Sequence, residues 1–304
     1  MKKRVISGAV YVLILLSVFA LKILVNDLFF DAFIWFLAIV GTFEITRAFG
    51  DSITKVERVL VFIFAAIVIP ACAISEYLFG YGLHVSCVCF FALSVCLLSL
   101  LVFRHDETTL ESIGSSLLSA VYPSLLLCLL VLANHIGTHP ILDGFDKVTG
   151  ANGDVFNSDL AMILIFIISP LSDVFAFFFG MSLRRFFPKK LAPTLSPNKT
   201  VVGFVGGLVG GMVGAGLTYF LYNAIAQTGF VNIGIWLPVF LGIGLLGALA
   251  TCFGDLVESC IKRKKGIKDM GNIMPGHGGV LDRIDGTIFA TVVVYVCFAF
   301  IHLF

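Results

Sequence analysis

Charge is scarce in this chain. Asp, Glu, Lys and Arg make up 13% of its 304 residues, while 59% are hydrophobic. Soluble domains carry about 25% charged and about 45–50% apolar residues, so a soluble globular fold is excluded, and with it the usual relation between length and domain number. The mean hydropathy of +1.05 agrees. The alternating pattern of a transmembrane barrel is missing, and no internal repeat relates the two halves. Apolar spans interrupt the basic residues, so nothing favours nucleic acid as a partner. Metal-ligand spacing is also missing from the eight cysteines (Cys72, Cys87, Cys89, Cys96, Cys128, Cys252, Cys260 and Cys297), all in or beside apolar runs. They read as small core hydrophobes, and a disulfide framework does not fit this setting. Met1-Lys2-Lys3-Arg4 opens like a signal peptide, but no small-residue cleavage site follows. A retained first span is expected.

What the chain does have is long apolar runs. A membrane-crossing helix needs about 20 such residues. Nine stretches qualify: 5–23, 28–46, 56–78, 85–103, 113–132, 160–180, 201–224, 233–253 and 284–304. Helices follow because lipid cannot satisfy free backbone groups. With the N-terminus in the cytoplasm, 18 of the 20 Lys and Arg residues fall on the cytoplasmic side, and only Lys22 and Lys147 fall outside. That asymmetry obeys the positive-inside rule. The expected fold is therefore all-α: a polytopic integral membrane protein of about nine transmembrane helices, N-terminus cytoplasmic. Residues 1–155 would hold spans one to five and an external loop, and 156–304 spans six to nine with two basic cytoplasmic loops. The external loop, 139–159, carries Asp143, Asp146, Asp154 and Asp159 and reads as a solvated surface loop. Span seven carries seven glycines in overlapping small-xxx-small series, Gly203-Gly207-Gly211 and Gly206-Gly210-Gly214. These give smooth faces for close packing in the bundle or for a homodimer contact.

Against this background the polar residues 259–285 stand out. Ionisable groups in or beside a membrane are costly, and their presence there points to function. Asp173 lies deep in span six. Asp255, Glu258, Ser259 and Lys262 follow span eight at the spacing of one helix face. Asp282 and Asp285 are three apart where span nine begins. The bland alternative is salt bridging, Asp255 with Lys262 or Asp282 with Arg263. Carboxylates are the hard oxygen ligands that magnesium takes, one or two at a time with substrate phosphate. Arg263, Lys268 and Arg283 offer charge to phosphate, arginine in bidentate fashion. Gly276, Gly278 and Gly279 would let backbone amides approach an anion. His277 among them is a candidate phosphate donor or proton shuttle, with a merely solvated loop histidine as the bland alternative. These residues point to a site for a metal and a polyphosphate.

A second polar segment, Ser196-Pro197-Asn198-Lys199-Thr200, precedes span seven. Ser196, Asn198 and Thr200 are candidate caps for the following helix. That helix N-terminus, with Lys199, also suits an anion. Arg184, Arg185, Lys189 and Lys190 satisfy the positive-inside rule or attract anionic headgroups.

Ser259, Lys262, Arg263, Lys268, Asp269, Gly271, Pro275, His277, Gly278, Gly279, Asp282, Arg283 and Asp285 resemble, in register, the C-terminal signature of the phosphatidate cytidylyltransferase (CDP-diacylglycerol synthase) family. Gly254-Asp255-Leu256, the Ser196–Thr200 segment and the stretch from Asp173 to Gly180 resemble further family motifs. Departures are Met274 for a branched aliphatic or Phe, Phe177 for Tyr, and Val202 for Glu or Gln. The likeness covers roughly residues 160–290.

The resemblance implies transfer of the cytidylyl group of CTP to phosphatidate, at the cytoplasmic face of a bacterial cytoplasmic membrane. It implies Asp255, Asp282, Asp285, Lys262 and His277 as catalytic residues. Asp255 and Asp282 would hold magnesium, with Asp285 and Asp173 nearby and room for a second cation. Ser196, Lys199, Ser259, Arg263, Lys268, Asp269, Gly278, Gly279 and Arg283 would bind the substrates. Two competitors are a CTP-dependent lipid kinase and an ion-coupled transporter. The transporter would need midplane sites and internal repeats, whereas the charges here cluster at one face.

Overall fold

The computed structural model describes residues 2–136, 148–149, 155–226, 232–274 and 278–303. Among these, eight helices are long and apolar enough to cross a membrane, and a shorter apolar helix, Gly8–Leu24, precedes them. The chain is a helical, polytopic membrane protein. In order the helices are α1 (Lys2–Leu24), α2 (Leu28–Phe49), α3 (Lys55–Phe79), α4 (Gly82–Phe103), α5 (Leu110–Ser119), α6 (Leu126–Asn134), α7 (Ser158–Leu183), α8 (Val201–Ala226), α9 (Ile233–Lys264) and α10 (Leu281–Leu303). Each of the nine expected spans has its helix.

The structure adds three features. The fifth span is two helices, α5 and α6, because Tyr122 leaves the helical region (φ −113°, ψ 106°) and Pro123 brings no N–H to the ladder. Two small antiparallel ribbons occur: β1 (Val148–Thr149) with β2 (Val155–Phe156), and β3 (Lys190–Ala192) with β4 (Ser196–Thr200). Third, α9 runs on to Lys264, well past the expected end of span eight at 253, so that its last turns carry the polar residues. The greater part of the 139–159 loop lies outside the described residues.

The chain forms two compact units. One is Met1–His135 with Lys264–Ile284, and the other is Ile136–Arg263 with Asp285–Phe304. The division expected from sequence lies at 155/156, whereas these units divide at 135/136 and group the loop Lys264–Ile284 with the N-terminal helices.

In the first unit, Phe30, Ile34 and Ile45 of α2, Ile69 of α3, Leu97 of α4 and Leu127 of α6 are fully buried. The start of α3 is fixed by a capping box: Glu57 N donates to the Thr54 hydroxyl and Thr54 N to Glu57 Oε2. Glu57 Oε1 also accepts from Ser112 Oγ at 2.7 Å, tying α3 to α5. Near the start of α2, Asp31 accepts from Asn134 Nδ2 at 3.0 Å and pairs with His135 Nε2 at 2.6 Å.

In the second unit the glycines of α8 are spent on helix contacts. Gly203, Gly206, Gly207, Gly210 and Gly214 lie against α7, where a Cβ would meet Ala176, Phe179, Ser172, Leu171 and Ile167. Gly211 lies on Gly244 of α9, backbone to backbone. Without side chains there, dispersion contacts can form between the helix backbones themselves. Tyr219, Phe240 and Phe298 fill the remaining core.

Candidate active site

In the first unit the site is the loop between α9 and α10. Lys265 anchors its beginning on the end of α2, with Nζ 2.7 Å from Ser52 Oγ and 4.6 Å from the centre of the Phe49 ring. Met274 N donates to Gly278 O at 2.9 Å, and the chain turns at Gly278, which sits at φ +86°, where a side chain would be strained. Pro275, Gly276 and His277 lie outside the described residues.

Two carboxylates hold the far side of this turn. Asp282, in the first turn of α10, accepts from Met270 N at 2.9 Å and Gly279 N at 2.8 Å, both on Oδ2. Glu44, from α2 and 1% exposed, accepts from Val280 N on Oε1 and Leu281 N on Oε2, each at 2.9 Å. These are amides that a helix N-terminus leaves unpaired, and negative charge there also complements the helix dipole. Gly271 and Gly279 carry no Cβ where one would collide with the Glu44 carboxylate. Of the glycines expected to bring an amide to an anion, Gly279 donates to the chain's own Asp282 carboxylate, and Gly276 lies outside the described residues. Lys268, Asp269 and Arg283 are exposed on the same segment.

In the second unit the site grows from the end of α9. Positions 255, 258, 259 and 262 share one helix face. Ser259 Oγ donates to Asp255 Oδ1 at 3.3 Å, and Lys262 Nζ donates to Glu258 Oε2 at 2.9 Å. Asp255 also forms an ion pair with Lys199. Asp285 of α10 accepts from Gly286 N at 2.8 Å. Arg263 Nε reaches Leu195 O at 3.3 Å, bracing the hairpin against α9.

The hairpin delivers Lys199. In β4, Ala192 pairs with Ser196 and Lys190 with Thr200. Of the three expected caps, Thr200 is the one seen at work: its hydroxyl accepts from Gly203 N at 3.1 Å. Lys199 is thereby placed just before α8 and beside Asp255. Both line a cavity of about 540 Å³ between α7, α8 and α9. Its polar wall includes Asp173, Arg184, Asn198, Lys199, Thr200 and Asp255, and its apolar wall includes Phe177 and Met181, themselves 64% and 61% exposed. The structure thus brings Asp173, Lys199 and Asp255 to one cavity. Ser196, Ser259 and Lys262 are not among the residues lining it.

Among the described residues no three His, Cys, Asp or Glu side chains make a ready metal cage. Magnesium does not require one, since it keeps several waters and takes one or two carboxylates with substrate phosphates. The carboxylate oxygens of Asp255 and Asp285 are donors of the kind that requirement names. Glu44 is the residue that sequence reasoning missed. A carboxylate inside the apolar run 28–46, which also holds Asp31, was the available signal, under the same rule that singled out Asp173.

A family model described as the cytidylyltransferase family matches residues 2–301. The chain is similar to proteins named phosphatidate cytidylyltransferase. That of Staphylococcus aureus (strain COL) is 41% identical over 130 residues, 42% of this chain and 45% of the relative. That of Staphylococcus haemolyticus (strain JCSC1435) is 40% identical over 132 residues, again 42% of this chain and 45% of the relative. The chain thus matches less than half the length of these staphylococcal relatives. That of Bacillus subtilis (strain 168) is 28% identical over 298 residues, 97% of this chain and 96% of the relative.

Proposed function

The chain belongs to the cytidylyltransferase family, and from that premise we propose that it joins CTP and phosphatidate to give CDP-diacylglycerol and pyrophosphate. The observation that carries this reading is the family match across residues 2–301. The cavity supports it, because a polar wall of Asp173, Lys199 and Asp255 beside an apolar wall of Phe177 and Met181 suits a ligand with a charged head and a hydrocarbon body.

The chemistry asks little of a base. A phosphate monoester has its second pKa near about 6, so the lipid phosphate is already largely dianionic at neutral pH. One of its oxygens attacks the α-phosphorus of CTP. A new P–O bond forms, the α–β phosphoanhydride bond breaks, and pyrophosphate leaves. Two anions must approach each other, so catalysis is charge neutralisation and alignment. Lys199 and Lys262 supply cations in the second unit, with Arg263 beside them; Lys268 and Arg283 supply them on the loop of the first. Ser196 and Ser259 help position the substrates.

Asp255 and Asp285, next to Glu258, are the residues that would hold magnesium, with Asp173 in the cavity. When bound, the metal would neutralise phosphate oxygens and make the α-phosphorus more electrophilic. Asp282 holds the loop through Oδ2 and, by the family resemblance, also contributes to metal binding. His277 keeps its two assignments, phosphate donor or proton shuttle. The lysine and arginine distribution supports a site on the cytoplasmic face, open to CTP from water and to lipid from the bilayer. A homodimer is part of the same reading.

The test uses purified protein with phosphatidate, magnesium and CTP labelled at the α- or the γ-phosphorus. Label entering lipid from the α position is the expected result. Label entering only from the γ position would make the protein a lipid kinase.

A further inference from the structure

We propose that Glu44 is a positioning residue for this reaction: from α2 it fixes the turn Gly278–Asp282, and through that turn it aims the groups of the signature loop. The inference rests on the cytidylyltransferase reading of the chain.

Glu44 is 1% exposed in a helix that is otherwise mostly apolar. A carboxylate there is expensive to desolvate. It recovers that cost at one place, the amides of Val280 and Leu281, with one oxygen to each at 2.9 Å. Those amides begin α10, and a local Ser, Thr or Asp is the ordinary way to cap a helix start. Here the cap comes from 236 residues away. It therefore fixes more than the helix start. It fixes where the loop lies on α2.

The loop is shaped to receive it. Gly271 and Gly279 both approach the Glu44 carboxylate where a side chain would collide with it. Asp282 Oδ2 takes the amides of Met270 and Gly279. Four backbone amides of the segment 270–281 are thus pinned by two carboxylates, one local and one from α2. Gly278 and Gly279 lie on the pinned stretch, and Asp282 and Arg283 follow it directly. Release of the Val280–Leu281 amides frees the backbone that directs Asp282. Misplacement of a reacting group by about 1 Å costs on the order of 100-fold in rate.

A glutamine keeps the shape of Glu44 but has one acceptor oxygen for two donors. Its amide nitrogen would face an N–H. Wild type, Glu44→Gln and Glu44→Asp would be compared in lipid nanodiscs by hydrogen–deuterium exchange, thermal melting and steady-state kinetics with CTP and phosphatidate. Glu44→Gln is expected to speed exchange at Val280 and Leu281 by about tenfold or more, the size of one lost buried hydrogen bond to a charged acceptor. Peptides from α7 and α8 should be unchanged. The kcat per folded protein should fall roughly 10- to 100-fold, with KM for CTP within about threefold, because the loss is of alignment and not of uniform binding.

Unchanged exchange and kcat in folded Glu44→Gln would overturn the inference. So would a lowered melting temperature with kcat intact, which is what a merely stabilising contact predicts. If Glu44→Gln does not fold, Glu44→Asp carries the test. It keeps the charge but loses reach, so exchange should rise and kcat fall, and an unchanged kcat despite raised exchange contradicts the proposal. A wild type that transfers no cytidylyl group overturns the functional reading instead. The exchange comparison then still decides whether Glu44 holds the turn.

Discussion

At Asp255 one carboxylate meets a lysine, a serine and solvent. Its side chain is 35% exposed and that of its partner Lys199 24%. Ion pairs this open contribute about 0–1 kcal/mol to stability. The same pair lines the cavity proposed to take the lipid phosphate. Asp255→Asn should therefore leave the melting temperature nearly unchanged while lowering cytidylyl transfer by at least about 100-fold. Melting in detergent and α-label incorporation on the same preparation check this. A large loss of stability would mean that Asp255 holds helices together and does not serve the reaction. Asp255 stood out in the sequence as a candidate because it follows an apolar run at helical spacing from Glu258, Ser259 and Lys262. Its pairing with Lys199 did not. Lys199 is 56 positions earlier in the chain, and only the β3–β4 hairpin brings it to the end of α9.

Single helices show the same division between fold and function. α2 carries buried carboxylates near both ends, Asp31 and Glu44, with opposite roles. Asp31 binds Asn134 and His135, the latter fully buried, at the end of α6. Asp31→Ala leaves both partners buried without their acceptor and should cost about 3–5 kcal/mol of stability. The kcat of the protein that remains folded should be unchanged. Equilibrium unfolding with kinetics on the folded fraction separates the two effects.

Helix α8 makes a second element-scale case. At Gly211 an added Cβ would lie 2.5 Å from Ala248 Cβ and from Gly244 O, so α8 and α9 would have to part. Gly211→Ala should destabilise by about 1–3 kcal/mol. At Gly242 nothing lies within 4 Å of an added Cβ. Gly242→Ala in α9 should be neutral or slightly stabilising, by up to about 1 kcal/mol. Melting curves of the two variants test the pair. Equal effects would contradict the packing described.

For the molecule as a whole, hydropathy made the helices legible, since each apolar run of sufficient length must satisfy its own backbone in lipid. It did not make their breaks legible. Pro70, Pro170 and Pro238 sit inside helices, whereas Pro123 marks a break, and nothing in the residues around them tells the cases apart. The signature residues were legible as a local string, while the contacts that organise them were not. Glu44 meets Val280 across 236 positions, and the loop Lys264–Ile284 belongs with helices from the start of the chain. Long-range pairing of this kind leaves no periodicity or spacing to read. The central claim is that this fold joins a nucleotide to a lipid phosphate. Its most direct test is stoichiometry with purified protein in nanodiscs, following pyrophosphate release and the mass of the lipid product together. The account predicts one pyrophosphate for each phosphatidate converted to CDP-diacylglycerol, and none when diacylglycerol replaces phosphatidate. Phosphorylation of diacylglycerol without pyrophosphate release would contradict it.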